Sequence, residues 1–176
     1  MPDQDSKKFL FIVNPVAGGK SKVNWEAGIK EYFKSSPHHH EIYSTHRDSD
    51  IESIRYWVDT WKPDRVVAVG GDGTLKLVAE VLLGTETPLC VFPAGSANGM
   101  ARELGMPADL EECMTVLLEG EAKRTDIIRI NQKNICLHLS DIGINAQLVK
   151  YFEETNVRGK LGYARGILRV LIKKRL

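Results

Sequence analysis

The sequence predicts an α/β protein with a three-layer, doubly wound parallel sheet, followed by the start of an antiparallel, β-rich second domain. Short apolar runs alternate with segments of helical periodicity through the first two-thirds of the chain, which is typical of strands joined by crossover helices. Glycine-rich turns follow three of these apolar runs. After Gly120 the runs become alternating and are joined by a short turn, which favours an antiparallel hairpin.

The composition is that of an ordinary globular protein of 176 residues, long enough for one well-buried domain. A net charge of +1, without interleaved basic and aromatic residues, argues against a nucleic-acid partner. The opening apolar run FLFIV is too short to predict a signal peptide or a membrane span. Cys90, Cys113 and Cys136 lie far apart, so we expect core thiols rather than disulfides or a zinc site, and a cytoplasmic location.

Four strands are predicted in the parallel sheet. They are KKFLFIV from Lys7, residues 39–45, residues 64–69 and PLCVF from Pro88. The third is continuously apolar after Asp64 and Arg65, as expected for a strand covered on both faces. The histidines at 38–40 precede or open the second strand, where neighbouring side chains point to opposite faces. We therefore expect a solvated strand entry there rather than a metal site.

Five helices are predicted between and after these strands, at residues 22–34, 49–61, 74–83, 98–104 and 110–118. In the second helix, for example, Ile51, Ile54 and Val58 recur at helical spacing. Gly84 and Gly105 follow the third and fourth helices, where glycine commonly ends a helix.

Two alternating runs, 124–130 and 134–139, predict the hairpin and place a domain boundary near residue 122. We expect domains at 1–122 and 123–176, the second being too short to fold alone. Its last segment, 162–176, carries Arg165, Arg169 and Lys173 along one stripe. A membrane-contacting helix has this pattern, but so does a core helix with one solvated face, which we favour.

The strongest motif is GGDGT, where a buried strand runs through Gly70, Gly71, Asp72 and Gly73 into a helix at Thr74. Glycines allow close backbone approach, and a helix N-terminus offers unpaired N–H groups to an anion. Asp72 or Thr74 could instead simply cap the helix. Three glycines are more than a cap requires, and each costs roughly 0.5–1 kcal/mol in backbone order.

Two further loops follow neighbouring strands. IVNPVAGGKS resembles a P-loop only in part, because Asn14 replaces its first glycine and Pro15 lacks an N–H group. PAGSANGMAREL again joins a strand to a helix through glycine, a hydroxyl at Ser96 and Asn98. Open parallel sheets bind ligands at the carboxyl ends of their strands. We therefore expect these loops, with Thr45 after the second strand, to hold a nucleoside triphosphate with Mg²⁺.

NPVAGGK, GGDGT and PAGSANGMAREL, in this order, resemble the catalytic domain of diacylglycerol kinases, sphingosine kinases and bacterial lipid kinases. The later segment DIGINAQLV…RGKLGYARGIL resembles the start of the β-sandwich domain of that family. The resemblance implies a fold of the NAD kinase/diacylglycerol kinase type. It also implies an enzyme that uses ATP and Mg²⁺ to phosphorylate a primary hydroxyl of a lipid, such as diacylglycerol or a sphingoid base, at a membrane surface.

The resemblance also implies the site residues. Those expected to hold the nucleotide are Asn14, Pro15, Val16, Ala17, Gly18, Lys20, Thr45, Gly70, Gly71, Asp72, Gly73, Thr74, Ser96 and Asn98. Asp72 is the expected catalytic residue, either orienting the attacking hydroxyl or holding Mg²⁺ through its water shell. Asp141 and Arg165 are the candidate substrate residues, although Asp141 is also well placed for a turn.

Some positions depart from the family pattern. Lys76 and Leu77 stand where asparagine and glutamate are common, and Gly99 stands where the diacylglycerol branch carries an acid. Ser96 and Gly99 favour the sphingosine kinase branch. The alternatives are a kinase of a soluble substrate, resembling NAD kinase, and a non-catalytic nucleotide-binding module. Because a catalytic acid from the rest of the β-sandwich has no counterpart, we expect the 176-residue chain to bind nucleotide without turnover. A homodimer is compatible with the sequence.

Overall fold

The computed structural model describes residues 6–18, 24–46, 50–132 and 134–137. The chain divides into two compact units, Met1–His138 and Leu139–Leu176, and the described residues all belong to the first. The predictions for Lys20, Asp141, Arg165 and the amphipathic segment 162–176 lie outside the described residues.

The first unit is built on a four-stranded parallel sheet flanked by helices. Its strands are β1 (Lys8–Val13), β2 (His39–Ser44), β3 (Arg65–Gly70) and β4 (Leu89–Pro93), in the order β2-β1-β3-β4. The helices are α1 (Trp25–Phe33), α2 (Asp50–Trp61), α3 (Asp72–Leu82), α4 (Gly99–Glu103) and α5 (Leu110–Glu119). The predicted α/β class and the four parallel strands are confirmed.

The register of the sheet aligns the carboxyl ends of its strands. Val13 pairs with Ser44 on one side and with Val69 on the other, and Gly70 pairs with Pro93. The first residues after the strands continue the ladder, since the N–H of Asn14 donates to Val69 O over 2.9 Å. The loops that follow all four strands therefore begin side by side at one edge of the sheet.

Helices cover both faces of the sheet and make the three layers. In β3, Val67 and Val69 pack into a core with α1 and α5, where Ile29 and Met114 are fully buried. Val66 and Ala68 point the other way, into a second core with α2 and α3. The continuous apolar run of β3 is thus explained by burial on both faces, as predicted.

The ends of the helices follow ordinary capping chemistry. Asn24 Oδ1 accepts the N–H of Ala27 at the start of α1, and Asp109 caps α5 in the same way. Gly84 and Gly105, with φ of +84° and +67°, lie in the left-handed region just after α3 and α4, as expected for helix-ending glycines. None of the helices in the described part of the chain is long and apolar enough to cross a bilayer.

The three histidines lie at the opposite, amino-terminal edge of the sheet. His39 and His40 open β2, as predicted, but only His39 is exposed, and His38 and His40 are partly buried rather than solvated. The His40 ring stacks on Phe33 with 4.5 Å between centroids, and burial lowers its pKa. His38 Nδ1 accepts the N–H of Lys7 over 3.3 Å. Among the described residues, no group of three His, Cys, Asp or Glu side chains is arranged to hold a metal ion.

An antiparallel hairpin ends the described part of the chain, as predicted. It consists of β5 (Ile128–Ile130) and β6 (Asn134–Cys136), and Asn131 and Gln132 between them have left-handed φ of 49° and 59°. Both strands are shorter than the predicted runs, because only three residues on each side are paired within the described residues.

Candidate functional site

Three loops meet at the carboxyl edge of the sheet. We call residues 14–18, after β1, the first loop; residues 70–74, which lead from β3 into α3, the second loop; and residues 94–98, between β4 and α4, the third loop. Since β3 lies between β1 and β4, the second loop is flanked by the other two. This arrangement is the one expected for a ligand site of an open parallel sheet.

Asn14 joins the first loop to the second. Its Nδ2 donates to Thr74 Oγ1 over 3.2 Å, and its Oδ1 accepts the N–H of Val16 over 3.1 Å. Thr74 is only 5% exposed, so its hydroxyl faces Asn14 rather than solvent. The asparagine that replaces a P-loop glycine thus braces the turn, and its side chain holds two of the three loops together.

The Asp72 carboxylate accepts hydrogen bonds from the start of a neighbouring helix, α4, rather than from its own helix, α3. Its Oδ2 accepts the N–H of Gly99 and its Oδ1 accepts the N–H of Met100, both over 3.0 Å. The N-cap residue of α3 is Gly71, so the helix begins without a side-chain cap. The simple alternative, in which Asp72 caps its own helix, is therefore not what the structure shows. A carboxylate oxygen has more than one lone pair, so both oxygens can still accept from another donor.

The start of α3 is a site of positive potential. Its first-turn N–H groups have no intrahelical acceptor, and the helix dipole adds partial positive charge. Gly73, in this turn, is exposed, and a Cβ there would meet no other atom within 4 Å. The second loop can therefore receive an anion through backbone groups alone.

Glycines let the three loops touch through their backbones. A Cβ built on Gly95 would collide with the backbone of Gly71 and with Asn98 Oδ1. Gly18 adopts a left-handed φ of +67°, and its Cβ would lie 2.5 Å from Ala94 O. The third loop is therefore in backbone contact with both other loops, which side chains at these positions would prevent.

Asn98 ends the third loop in the left-handed conformation, with φ 51° and ψ 47°. Its Nδ2 donates to Pro93 O over 3.3 Å and to Gly95 O over 2.8 Å. Its Oδ1 is buried and has no hydrogen-bond partner. A buried acceptor left unpaired costs about 1–3 kcal/mol, so the amide is held in this orientation by its two donor bonds.

The remaining predicted nucleotide residues lie around these contacts. Thr45 follows β2, next to the first loop, and its N–H donates to Val13 O over 2.8 Å. Pro15, Val16 and Ser96 are exposed. Ala17 is partly buried against the core. The structure thus brings together the inner residues of the three loops and leaves Ser96 at their surface.

Sequence reasoning missed Asp50, at the start of α2. Its Oδ1 accepts the hydroxyl of Tyr43 over 3.0 Å and the N–H of His46 over 2.8 Å. Together these bonds fix the loop that carries Thr45. An acid in the first turn of a predicted helix was the available signal, but it does not indicate which loop the acid contacts.

Comparison with known proteins agrees with this geometry. Residues 8–130 match the family model of the diacylglycerol kinase catalytic domain. The chain is 29% identical over 138 residues to sphingoid long chain base kinase 4 of Schizosaccharomyces pombe, covering 73% of this chain and 30% of that protein. It is 36% identical over 72 residues to the diacylglycerol kinase of Mycobacterium tuberculosis, covering 40% of this chain and 23% of that protein.

A crystal structure of a diacylglycerol kinase from Bacillus anthracis has the same fold, with a TM-score of 0.56 at 24% identity over 71% of this chain and 46% of that chain. The matched part spans less than a third of the length of the two curated relatives. The family match covers most of the chain and all three loops. The chain therefore belongs to the diacylglycerol kinase catalytic domain family.

Proposed function

We propose that this chain carries the nucleotide-binding part of an ATP-dependent lipid kinase. The enzyme transfers the γ-phosphate of ATP to a primary hydroxyl of a lipid, such as diacylglycerol or a sphingoid base, presented at a membrane surface. Family membership supports the proposal, since the relatives compared above are named as kinases of such lipids. The observation that carries it is the meeting of three glycine-containing loops at the carboxyl edge of the sheet.

The residues present fit ATP and Mg²⁺. The uncapped start of α3 suits a polyphosphate, because its first-turn N–H groups are offered with no side chain in the way at Gly73. Gly95 contributes by letting the loops approach closely, since its own N–H donates to Gly70 O over 3.2 Å. The carboxylate of Asp72 is the kind of oxygen ligand that Mg²⁺ prefers, directly or through water. When bound, ATP supplies the phosphoryl group and Mg²⁺ offsets its negative charge.

The predicted nucleotide residues divide by the way in which they would bind. The second loop would bind phosphate through the backbone at the start of α3, and the first loop through the backbone at Gly18, with Lys20 adding charge. The N–H groups of Asn14, Val16 and Ala17 donate within the protein. Thr45 and Ser96 would offer hydroxyl groups from either side of the phosphate-binding loops. In this proposal residues 1–122 form the nucleotide-binding domain, and residues 123–176 begin the domain that binds the lipid, with Asp141 and Arg165 as its contributors.

Asp72 would act on the attacking hydroxyl. The two N–H groups of Gly99 and Met100 fix the orientation of its carboxylate. The remaining lone pairs can accept a hydrogen bond from the lipid hydroxyl or from the water shell of the metal. In either role Asp72 works by positioning, which is the main demand that phosphoryl transfer makes on a protein.

The test is phosphoryl transfer from labelled ATP to a panel of diacylglycerol, sphingoid bases and ceramide, with NAD included. It uses a protein in which this chain is followed by the rest of the β-sandwich domain. Because Ser96 and Gly99 favour the sphingosine kinase branch, we expect sphingoid bases to be the best substrates. Phosphorylation of NAD without phosphorylation of any lipid would reverse the proposal in favour of a soluble-substrate kinase.

The matched variants are Asp72→Ala and Asp109→Ala. Both aspartates accept two backbone N–H groups at the start of a helix, but Asp109 is the N-cap of α5, outside the three loops. We expect Asp72→Ala to stay folded and to lose transfer by at least about 100-fold, whereas Asp109→Ala retains it. Equal activity of the two variants would refute the role of Asp72.

A further inference from the structure

Asn98 has the backbone conformation that directs helix α4 toward Asp72. Non-glycine residues seldom adopt a left-handed φ, and asparagine is among the few side chains that tolerate it. Here φ is 51° and ψ is 47°, immediately before α4 begins at Gly99. This turn aims the N–H groups of Gly99 and Met100 at the Asp72 carboxylate, each over 3.0 Å.

The side chain of Asn98 is used inside the protein. Both of its donor bonds go to backbone oxygens of the same stretch, Pro93 O and Gly95 O. Its Oδ1 is buried without a partner, and a Cβ built on Gly95 or Gly71 would lie within 4 Å of it. The amide therefore closes the third loop on itself, beside Gly71 of the second loop, and is directed into the protein.

Helix α4 depends on these contacts for its position. It has five residues, and a helix of this length is not stable by itself in water. Ala101 anchors its middle, with 2% exposure, while its first two N–H groups are bound by Asp72. The start of α4 and the carboxylate of Asp72 therefore constrain each other, and Asn98 determines where that start lies.

We propose that Asn98 is a positioning residue that orients the Asp72 carboxylate through the start of helix α4, rather than a residue that binds the nucleotide through its side chain. The catalytic part of this inference rests on the proposed function. The structural part, that Asn98 holds the Gly99 and Met100 N–H groups on Asp72, stands independently of any activity.

Three substitutions distinguish the contribution of the left-handed backbone conformation of Asn98 from that of its side-chain amide. Asn98→Gly keeps the left-handed conformation and removes the amide. Asn98→Ala loses both features. Asn98→Asp tolerates the conformation but places a carboxylate oxygen against Pro93 O and Gly95 O, so it should be the most harmful. Asn24→Ala is the matched control, since Asn24 is the N-cap of α1.

The first measurement is hydrogen exchange at the amides of Gly99 and Met100 in the full chain. We expect faster exchange at both in Asn98→Ala and Asn98→Asp, a smaller increase in Asn98→Gly, and no change in Asn24→Ala. Unchanged exchange in Asn98→Ala would overturn the proposal. This result does not depend on activity, so it remains decisive even if the protein phosphorylates no lipid.

The second measurement is the kinetics of lipid phosphorylation by a protein in which this chain is followed by the rest of the β-sandwich domain. A misplaced Asp72 should lower kcat about 10- to 100-fold in Asn98→Ala, with partial recovery in Asn98→Gly and a KM for ATP within about twofold of the wild type. A raised KM for ATP with unchanged kcat would mean that the Asn98 amide contacts the nucleotide, and would overturn the proposal. If Asn98→Ala does not fold, the same comparison of kcat with the KM for ATP is made in Asn98→Gly.

Discussion

The side-chain amide of Asn14 donates a hydrogen bond to the hydroxyl of Thr74 over 3.2 Å, linking residues 60 positions apart. Gly70 lies beside this hydrogen bond and must lack a side chain, because a Cβ on Gly70 would overlap the Thr74 side chain. The end of β1 and the start of α3 are thus fastened together directly above the sheet. If the three loops hold a triphosphate, this bond sets the distance between two of them.

Replacing Thr74 by valine tests this bond. Valine keeps the shape of threonine but leaves the Asn14 amide without its acceptor, so we expect a loss of about 1–3 kcal/mol in unfolding free energy and weaker binding of Mg·ATP. Thr74→Ser keeps the hydroxyl and should retain most of both. Urea denaturation and titration calorimetry measure the two effects. Equal behaviour of the valine and serine variants would show that the hydrogen bond is unimportant.

Two glycine-to-alanine substitutions should have opposite effects on stability. In Gly95→Ala the new methyl group meets the backbone of Gly71, and we expect a loss of about 1–3 kcal/mol. In Gly73→Ala the methyl group meets nothing within 4 Å, and alanine favours a helix by up to about 1 kcal/mol.

Gly73→Ala should also change the affinity for Mg·ATP without lowering the stability of the fold. Gly73 lies at the exposed first turn of α3, so a methyl group there should obstruct a phosphate while leaving the fold intact. We expect thermal stability equal to or above that of the wild type, with Mg·ATP affinity reduced about tenfold. Unchanged affinity in this variant would place the phosphates elsewhere on the protein.

Arg65 should stabilise the end of α5. Its guanidinium donates to Leu117 O over 2.6 Å and to Gly120 O over 2.9 Å, at the helix end where positive charge is favourable. We expect Arg65→Ala to cost about 1.5–3 kcal/mol in urea denaturation, and Arg65→Lys to be intermediate because one ammonium cannot reproduce the planar fork. Arg55→Ala, on an exposed position of α2, is the control and should change stability little.

Cys113, which is buried, and Cys90, which is partly buried, should have unreactive thiols in the folded protein. Burial raises the pKa of Cys90 to about 11 and that of Cys113 to about 12. At pH 8, about one thiol in a thousand or fewer is then the reactive thiolate. Alkylation followed by mass spectrometry should label the partly exposed Cys136 first. Rapid labelling of Cys113 at pH 8 would contradict the buried environment.

These raised pKa values also fix the sign of a pH effect. A thiol whose folded pKa lies above its unfolded value favours the folded state while it is protonated. Its contribution is complete below about pH 8.5, the ordinary thiol pKa, and is lost as the pH rises through about 11 for Cys90 and about 12 for Cys113. We expect the double variant Cys90→Ala/Cys113→Ala to lose less stability than the wild type between pH 9 and 11.

Most of the fold could be predicted because its signals are local. The run at residues 64–69 is apolar at every position from Val66 to Val69 because β3 is covered on both faces. Gly84 and Gly105 indicated helix ends because the left-handed turn after a helix favours glycine. The carboxyl ends of parallel strands share one edge by geometry, so the convergence of loops bearing Asn14 and Thr74 also followed from the order of the motifs.

The sequence by itself determined the layers, the order of the loops and the residue types that meet above the sheet. Only the tertiary structure decided what those residues bind within the protein: Asp72 takes N–H groups 27 and 28 positions away, and Asn98 turns its amide inward. The physical reason is that every residue except proline carries the same backbone N–H and C=O groups. When a side chain bonds to a distant backbone group, the residue that supplies the backbone group can be of almost any type. The sequence therefore does not indicate which residue it is, and only the folded chain does.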